Sequence, residues 1–368
     1  MRDILPSPVA RGVGGEGFPL NDAFHALIRG DRKGIGPTLQ RAGLRGLSFG
    51  YRLGVWLRNR AFERGWKTIR KADVPVVSVG NLTVGGTGKT PCVEYVARFF
   101  RQQGLQVALL SRGYGSETGR NDEALVLEEN LPDVPHLQGA DRFALAQTAI
   151  EELEAEVLVL DDGFQHRQLH RDLDLVLIDA TCPWGLGYLL PRGLLREPIA
   201  GLKRAHAAII TRCDLVAPKA VEAIRDVVTR IKPGLPIVES THRPAQWCNA
   251  SRQTADLETL KDRPLAGFCG LGNPDAFRHT LAKLGLNVIA WRTYPDHHPY
   301  ARDDVEELRR WAGQLPAHAA VVTTQKDLVK LRLDRLGERE LWALHIQLHV
   351  TSGQGALEGL LKTVHAQG

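Results

Sequence analysis

Apolar residues follow two different patterns along the first seventy positions. Residues 1–36 contain many glycines and charged residues but no regular spacing of apolar ones, which predicts a mobile leader or a variable cap. From Pro37 to about Arg70 the apolar residues recur on one helical stripe: Leu44, Leu47, Tyr51, Val55 and Phe62. This spacing predicts a long amphipathic helix.

From about residue 71 the pattern alternates between short apolar runs and longer amphipathic segments. The predicted strands lie at 74–80, 105–111, 135–137, 157–163, 173–180 and 205–214, and the predicted helices lie at 90–104 and 141–154. Apolar, β-branched runs that alternate with helices are typical of a parallel sheet covered by helices on both faces. The fold class is therefore predicted to be α/β.

A Pro-rich stretch at 232–245 interrupts this alternation and is interpreted as a connection between domains. A second α/β series follows it. The predicted organisation is a leader at 1–36, an amphipathic helix at 37–70, a larger α/β domain at 71–232 and a smaller α/β domain at 233–368. A length of 368 residues suits two domains.

Charge changes the interpretation of the predicted helix. Between positions 41 and 71 there are nine Lys or Arg residues and a single acid, Glu63, an excess that favours anionic lipid headgroups. Gly46, Gly50 and Gly54 form a small surface on another face, where a backbone or an acyl chain could approach closely. The alternative is a first helix that packs on the α/β core with its arginines in water.

Overall composition narrows the class of protein further. The net charge of +5 and the pI near 9.0 suit a phosphate-rich partner but do not choose among nucleotide, nucleic acid and anionic lipid. The five cysteines never occur in C-x-x-C spacing, so neither a disulfide framework nor a zinc site is indicated and a reducing cytoplasm fits best. No run of about 18 apolar residues is present.

The segment SVGNLTVGGTGKTP at 78–91 carries the clearest chemical signal. It reads as a strand, a glycine-rich loop and a helix start, which is the context of a phosphate-binding P-loop. The predicted nucleotide-binding residues are Thr83, Val84, Gly85, Gly86, Thr87, Gly88, Lys89 and Thr90. Lys89 is expected to reach the β- and γ-phosphates and Thr90 to ligate Mg²⁺. The usual first glycine of the motif is replaced by Thr83.

The strand VLVLDDG ends in two adjacent carboxylates, Asp161 and Asp162. A strand that delivers an acid toward Mg²⁺ beside a P-loop ends in this way. Because neighbouring side chains on a strand point to opposite faces, one acid can hold the metal while the other orders a polar neighbour. A solvated strand end is the alternative interpretation, and the GFQH sequence that follows argues against it.

Phosphoryl transfer to an alcohol also requires a group that positions the alcohol and cations that hold the substrate. The candidates are Asp122, in a predicted loop after Ser111, and the pair His297 and His298. Arg192 and Arg196, in the segment LLPRGLLREP, could clamp a substrate phosphate. Each of these would more often be an ordinary residue if it were taken alone.

Together these segments resemble one family, the tetraacyldisaccharide 4'-kinases, which are the lipid A 4'-kinases of outer-membrane biogenesis. The resemblance runs from about Gly46 to the C-terminus. It is carried by the motifs VPVVSVGNLTVGGTGKTP, LSRGYG, NDEALVL, VLVLDDGFQHRQLHRDLDLVLIDA, LLPRGLLREP, FCGLGNPDAF, YPDHHPY and TTQKDLVKL. The family more often has GDEP where this chain has NDEA at 121–124.

The resemblance implies a P-loop NTPase-like fold that binds ATP and Mg²⁺ and phosphorylates the 4'-hydroxyl of an acylated disaccharide 1-phosphate lipid. It further implies a peripheral enzyme on the cytoplasmic face of the bacterial inner membrane, with no nucleic-acid partner. An acylated substrate stays in the bilayer, so the basic helix would bring the enzyme to it by contact with anionic lipid.

The resemblance also implies roles for individual residues. Asp122 matches a proposed catalytic base, with His297 beside it as the more favoured of the two histidines. Asp162 matches an active-site acid, and Asp161 with Thr90 matches the metal ligands. The residues implied near the reacting phosphates or the sugar are Arg112, Tyr114, Arg142, Gln165, Arg192 and Arg196.

Two alternatives from other classes remain open from the residues alone. A P-loop ATPase or GTPase that drives a conformational switch would carry a signature lysine near the start of its loop, and this chain has Val84 there. A nucleotide-dependent membrane tether would leave the DDGFQH, NDE and DHH segments without a role. The TTQKD and TRCD segments superficially resemble base-reading motifs, and a helix N-cap is the simpler interpretation.

Overall fold

The computed structural model describes residues 22–113 and 122–365, which form two compact units. Within the described chain, the larger unit contains residues 22–112, 134–241 and 349–365. The smaller unit contains residue 113 and residues 122–133 and 242–348. The chain passes from one unit to the other within the predicted connection at 232–245, but most of that segment is a strand. The predicted domain boundaries themselves stay a prediction.

The regular elements follow in chain order. The helices are α1 (Asp22–Arg29), α2 (Ile35–Glu63), α3 (Lys89–Gln102), α4 (Asp122–Asn130), α5 (Arg142–Leu153), α6 (Pro218–Ile231), α7 (Pro274–Lys283), α8 (Arg302–Gly313), α9 (Gln325–Leu331) and α10 (Gln354–His365). The strands are β1 (Val76–Asn81), β2 (Val107–Ser111), β3 (His136–Gln138), β4 (Val157–Asp161), β5 (Leu173–Asp179), β6 (Ala207–Thr211), β7 (Ile237–Cys248), β8 (Thr254–Ala255), β9 (Leu265–Cys269), β10 (Val288–Thr293), β11 (Ala320–Thr324), β12 (Arg335–Leu336) and β13 (Arg339–Ser352).

The larger unit is built on a parallel sheet in the order β7-β6-β5-β1-β4-β2-β3. All residues of β1, β5 and β6 are buried, which explains why these strands read as continuous apolar runs rather than alternating ones. Helix α5 contributes Ala146 and Ala149 to a core that includes Leu110 of β2. Helix α6 contributes Ile224 and Val228 to a second core. The predicted α/β fold class is confirmed.

The smaller unit has its own parallel strands, in the order β10-β9-β11-β13. Two short antiparallel pairs, β12 with β13 and β8 with β7, complete it. Its cores gather buried aromatic residues, including Phe268, Trp247 and Phe277. Helices α4 and α9 pack against each other within this unit. Asp122, expected in a loop, is the first residue of α4. Helix-forming residues after Asp122 and Glu123 account for this, since acids stabilise a helix N-terminus.

Helix α2 packs against the rest of the larger unit through one face only. Leu44 is half-buried and Ser48 and Phe62 are buried on that face, so part of the predicted stripe packs on the protein. Leu47 of the same predicted stripe is 64% exposed and does not contribute to this packing. A second apolar face is open to solvent and includes Ile35, Leu39, Phe49, Leu53, Trp56 and Leu57.

The end of the predicted leader is also ordered differently from the expectation. Helix α1 falls within residues 22–36 and buries Ile28 against Val84 and Leu194. This part of the segment is therefore packed beside the glycine-rich loop. Residues 1–21 lie outside the described chain. Among the described residues, no helix combines the length and the apolar character that crossing a bilayer requires.

Candidate active site

The glycine-rich loop connects β1 to α3 at the centre of the larger unit's sheet. Gly85 has φ 115° and Gly88 has φ 84°, a backbone conformation that glycine adopts readily and other residues rarely do. Gly88 caps α3 without a side-chain hydrogen bond. The first N–H groups of α3 therefore lack a side-chain cap, which suits them to bind phosphate oxygens.

The same loop explains why Thr83 can replace the usual first glycine. Thr83 forms an antiparallel bridge with Leu195, and its φ is not in the left-handed region. The neighbouring Val84 N–H donates to Leu194 O at 2.8 Å. An extended residue in a bridge needs no glycine, so the substitution is compatible with a phosphate-binding loop.

Thr87 at the tip of the loop is held from two strands. Asn81 Nδ2 donates to Thr87 Oγ1 at 2.9 Å, and Thr211 Oγ1 donates to Thr87 O at 2.9 Å. Asn81 ends β1 and Thr211 ends β6. The loop is thus tied to the carboxyl edge of the sheet by protein contacts, which lower the entropic cost of ordering it around a phosphate.

Asp162 lies at the centre of a cluster of cations. Lys89 Nζ lies 3.7 Å from Asp162 Oδ1, and Arg196 Nη1 donates to Asp162 Oδ2 at 2.6 Å. Burial alone would raise the pKa of this carboxyl, but the charges of Lys89 and Arg196 outweigh it and lower the pKa to about 2. Asp162 is therefore ionised at neutral pH and holds both cations beside the loop.

Arg196 itself is oriented by a second set of contacts. Gln165 Nε2 donates to Asn81 O at 2.8 Å and to Glu197 Oε1 at 2.9 Å. This leaves Gln165 Oε1 to accept from Arg196 Nη1 at 3.4 Å. The buried carboxylate of Glu197 also accepts two hydrogen bonds from Arg204. These contacts fix the guanidinium of Arg196 toward Asp162.

The other predicted arginines occupy different positions. Arg192 lies apart from the Asp162 cluster: it is buried, donates from Nη1 to Ile28 O at 2.7 Å, and stacks over the Tyr188 ring at 4.4 Å. Arg142 is buried at the start of α5, and its charge helps to lower the pKa of Asp162. Arg112 follows β2. The predicted Tyr114 lies outside the described residues.

His166 shares the neighbourhood of Arg142. Burial, followed by the charges of Arg142 and Arg171, lowers the pKa of His166 to about 4. The imidazole is therefore neutral at neutral pH. The neutral ring of His166 can donate and accept hydrogen bonds near Arg142 without adding a further positive charge.

The predicted metal ligands lie on elements that border the loop. Thr90 is the second residue of α3, and Asp161 ends β4 opposite Val79 of the neighbouring strand β1. A hydroxyl and a carboxylate are oxygen donors of the kind that Mg²⁺ prefers, and kinases usually complete its shell with phosphate oxygens and water. The donor set therefore fits Mg²⁺.

The smaller unit brings together the predicted Asp122 and His297. The chain separates them by 175 positions, yet His297 Nδ1 lies 2.9 Å from Asp122 Oδ2. The hydrogen bond with Asp122 raises the pKa of His297, although burial opposes this. Burial would raise the pKa of Asp122, but its bonds with His297 and Lys330 lower it. The pair is an ionised carboxylate that orients an imidazole.

The second histidine of the pair has a different environment. His298 Nε2 lies 2.9 Å from Asp304 Oδ2, and its ring stacks on Tyr294 and meets Tyr300 edge-on. His298 is thus packed among aromatic rings, whereas His297 pairs with Asp122. Of the two candidates, the geometry selects His297 as the partner of Asp122.

Asp327 and Lys326 of the TTQKD segment have structural contacts. The Asp327 carboxylate is completely buried and accepts from Gly270 N–H, Tyr300 OH and Thr324 Oγ1. Thr324 caps α9, and Lys326 forms an ion pair with Glu123 at 3.1 Å. The helix-cap interpretation of this segment agrees with these contacts.

Sequence reasoning missed three residues that organise these sites. Lys330 contacts Asp122, Glu197 orients Gln165, and Asn81 holds Thr87. Lys330 and Glu197 lie inside the quoted segments TTQKDLVKL and LLPRGLLREP, and Asn81 follows the predicted strand 74–80. The available signal was a charged or amide side chain within a motif, which does not by itself indicate a partner.

Comparison with known proteins gives a consistent result. A family model described as tetraacyldisaccharide-1-P 4'-kinase (LpxK) matches residues 40–365. The tetraacyldisaccharide 4'-kinase of Anaeromyxobacter sp. (strain Fw109-5) is 38% identical, over 94% of this chain and 95% of its own length. That of Syntrophus aciditrophicus (strain SB) is 38% identical, over 76% and 82% respectively. A crystal structure of LpxK from Aquifex aeolicus in complex with ATP is 30% identical with a TM-score of 0.73, covering 89% of this chain and 99% of the other.

Proposed function

The chain belongs to the tetraacyldisaccharide-1-P 4'-kinase family, and from this premise we propose how its residues perform the reaction. It is an ATP-dependent kinase that transfers the γ-phosphate to the 4'-hydroxyl of a tetraacylated glucosamine disaccharide 1-phosphate, a step of lipid A biosynthesis. The observation that carries the mechanism is the cluster of Lys89 and Arg196 on Asp162, beside a phosphate-binding loop.

The glycine-rich loop and the start of α3 bind the phosphates of ATP. Gly85 and Gly88 allow backbone N–H groups to approach the phosphate oxygens, and Lys89 neutralises charge on the β- and γ-phosphates. Asp162 holds Lys89 beside the loop. Thr90 and Asp161 would hold Mg²⁺, which when bound neutralises charge on the β- and γ-phosphate oxygens.

Asp122 and His297 act on the acceptor. The oxygen of the 4'-hydroxyl forms a bond to the γ-phosphorus while the bond between the γ-phosphorus and the β-phosphate oxygen breaks. The proton of the hydroxyl passes to Asp122. The lowered pKa of Asp122 makes it a weak base, and this suffices because a loose phosphoryl-transfer transition state demands little base strength. Orientation of the hydroxyl is then its larger contribution.

Arg196 is the cation best suited to stay in contact with the γ-phosphate during its transfer. Its guanidinium already contacts Asp162 and Gln165, and a planar fork can exchange a carboxylate for a phosphate partner with little reorganisation. Arg112, Arg142 and Gln165 remain proposed substrate contacts at the same edge of the sheet. The roles proposed for Tyr114 and Arg192 in substrate binding stay predictions.

Helix α2 is proposed to bring the enzyme to the surface of an anionic bilayer, on the cytoplasmic face of the inner membrane. Its outer face exposes Phe49 (71%), Leu53 (50%) and Trp56 (57%), an apolar surface flanked by arginines. A helix with such a face lies in the interface, with its apolar side chains among the acyl chains and its cations near the headgroups. This arrangement supports peripheral contact with the membrane that holds the acylated substrate.

The proposed function is tested by following labelled phosphate from ATP to an acylated glucosamine disaccharide 1-phosphate in detergent. The wild-type chain should transfer phosphate, and Lys89→Ala and Asp122→Ala should each reduce transfer by about 100-fold or more. Lys89→Ala should also weaken ATP binding, whereas Asp122→Ala should leave it unchanged. ATP hydrolysis by the wild-type chain that ignores the lipid would instead favour a switch ATPase.

A further inference from the structure

Lys330 is a nearly buried cation that contacts Asp122 and the backbone next to His297. Its Nζ lies 2.9 Å from Asp122 Oδ2 and donates to His298 O at 3.1 Å. Its side chain is only 8% exposed. A single ammonium group therefore touches the carboxylate on α4 and the backbone of the segment that carries His297.

The helix that carries Lys330 is firmly fixed within the smaller unit. Thr324 caps α9, and the buried carboxylate of Asp327 in its first turn accepts from Gly270 N–H and Tyr300 OH. Two further side-chain pairs join α9 to α4: Lys326 with Glu123, and Gln325 with Asn130. Lys330 is thus presented to Asp122 from a rigid element, as a positioning group requires.

We infer that Lys330 is a positioning residue for phosphoryl transfer, whose ammonium group holds Asp122 and the His297–His298 segment in one arrangement. The inference rests on the proposed role of Asp122 in the reaction. Both His297 Nδ1 and Lys330 Nζ contact the same carboxylate oxygen, Oδ2.

The charges around Asp122 give the arrangement a measurable electrostatic consequence. From α9 it faces Lys330, with Lys326 nearby, and from the 294–300 segment it faces His297, with Asp296 beside that ring. Glu123 follows it on α4. Loss of the Lys330 charge removes one of the two groups that lower the pKa of Asp122. The acidic limb of the pH–activity profile, where activity falls as Asp122 is protonated, should then move to higher pH.

The test compares Lys330→Met, Lys330→Arg and Lys330→Gln with the wild-type enzyme. Lys326→Met is the matched control, because it removes a lysine from the same helix that pairs with the next residue of α4. Phosphate transfer is measured over a range of pH, with ATP and lipid varied separately, and each variant is checked by thermal unfolding. The Gln variant keeps a donor for His298 O without the charge, so the test survives if the Met variant does not fold.

The expected result is a 10- to 100-fold lower kcat for Lys330→Met and Lys330→Gln, an acidic limb at higher pH and an unchanged KM for ATP. Lys330→Arg should recover part of kcat and keep the wild-type acidic limb, and Lys326→Met should stay within about 3-fold of wild type. The inference would be overturned if Lys330→Met and Lys330→Gln both kept the wild-type kcat. It would also be overturned if the acidic limb of the pH–activity profile moved in none of the three Lys330 variants. Absence of transfer by the wild-type enzyme would instead refute the proposed function and the inference with it.

Discussion

Arg196 donates to Asp162 across 34 positions of the chain, with 2.6 Å between Nη1 and Oδ2. The two residues come from different motifs, one from the strand end after β4 and one from the LLPRGLLREP segment. Lys89 approaches the other oxygen of the same carboxylate. The ionised Asp162 therefore holds two cations beside the glycine-rich loop, and this contact distinguishes Arg196 from its neighbour Arg192.

The first prediction compares Arg196→Lys with Arg192→Lys. We expect Arg196→Lys to lower the rate of phosphate transfer by about 10- to 100-fold, because an ammonium cannot reproduce the fork that contacts Asp162 and Gln165. Arg192→Lys should instead destabilise the fold by about 1–2 kcal/mol, since it disturbs a buried bond to Ile28 O. Steady-state kinetics and urea unfolding of both variants measure these effects. A larger kinetic loss in the Arg192 variant would reverse the assignment.

The second prediction concerns the close packing behind the glycine-rich loop. A Cβ on Gly80 would lie 2.6 Å from Phe164 Cβ and 2.7 Å from Phe164 N. Because a backbone atom cannot move aside easily, Gly80→Ala should lower the free energy of unfolding by about 1–3 kcal/mol. Thermal or urea unfolding measures the change.

The control for this substitution is Gly359→Ala. Gly359 lies within α10, where no atom of the described residues is within 4 Å of an added Cβ. This change should stabilise the protein by about 0.5–1 kcal/mol, because alanine favours the helix. Equal effects of the two substitutions would show that the contact at Phe164 is not restrictive.

The third prediction concerns the protonation of His297. Asp122→Asn should lower the pKa of His297 toward or below its ordinary value of 6.5, because the bond with Asp122 is the main cause that raises it while burial lowers it. Titration of the histidine ring signals by NMR in both forms measures this shift. An unchanged His297 pKa would mean that the pair is not formed in solution.

The same pair has a defined effect on stability. The raised pKa of His297 contributes stability that is fully present below pH 6.5 and is lost as the pH rises through its folded pKa. The lowered pKa of Asp122 contributes stability that is present above pH 3.8 and is lost as the pH falls through its folded pKa. The difference in unfolding free energy between wild type and Asp122→Asn should therefore be largest between about pH 4 and 6.5. A difference that grows toward pH 9 would contradict this assignment.

The fourth prediction tests the outer face of α2. Replacement of Phe49, Leu53 and Trp56 by serine should weaken binding to anionic lipid vesicles by about 100-fold or more, since each side chain loses about 1 kcal/mol or more of apolar burial. Co-sedimentation with vesicles measures this. The matched control replaces Leu153, Leu215 and Ile289, which are also exposed, and should bind as wild type does. Equal binding by both triple variants would exclude α2 as the contact surface.

Sequence patterns alone located the glycine-rich loop and most of the sheet. The apolar runs at 157–163 and 173–180 became β4 and β5, because residues buried on both faces of a parallel sheet leave a continuous apolar signature. The glycine spacing of 85–88 likewise predicted a tight loop between a strand and a helix, and Gly85 and Gly88 have positive φ there. Where a structural feature depends on a residue's own backbone and its immediate neighbours, the local sequence is sufficient to predict it.

Other features were hidden because they depend on which face or which partner a residue meets. The periodicity of α2 indicated an amphipathic helix, but it did not reveal that Ser48 and Phe62 would be buried while Phe49 and Trp56 would be exposed. Helical periodicity defines faces without stating what covers each one. Asp122 was expected in a loop because the segment before it is rich in glycine and polar residues, yet it begins α4.

The sequence by itself determined the α/β fold, the glycine-rich loop and the residue types needed for phosphoryl transfer, because these follow from local spacing and backbone preference. Only the tertiary structure decided that Arg196 rather than Arg192 contacts Asp162, that His297 rather than His298 pairs with Asp122, and that Lys330 contacts Asp122. Those choices depend on side chains brought together across many positions, and their energies come from charge and burial that exist only after the chain has folded.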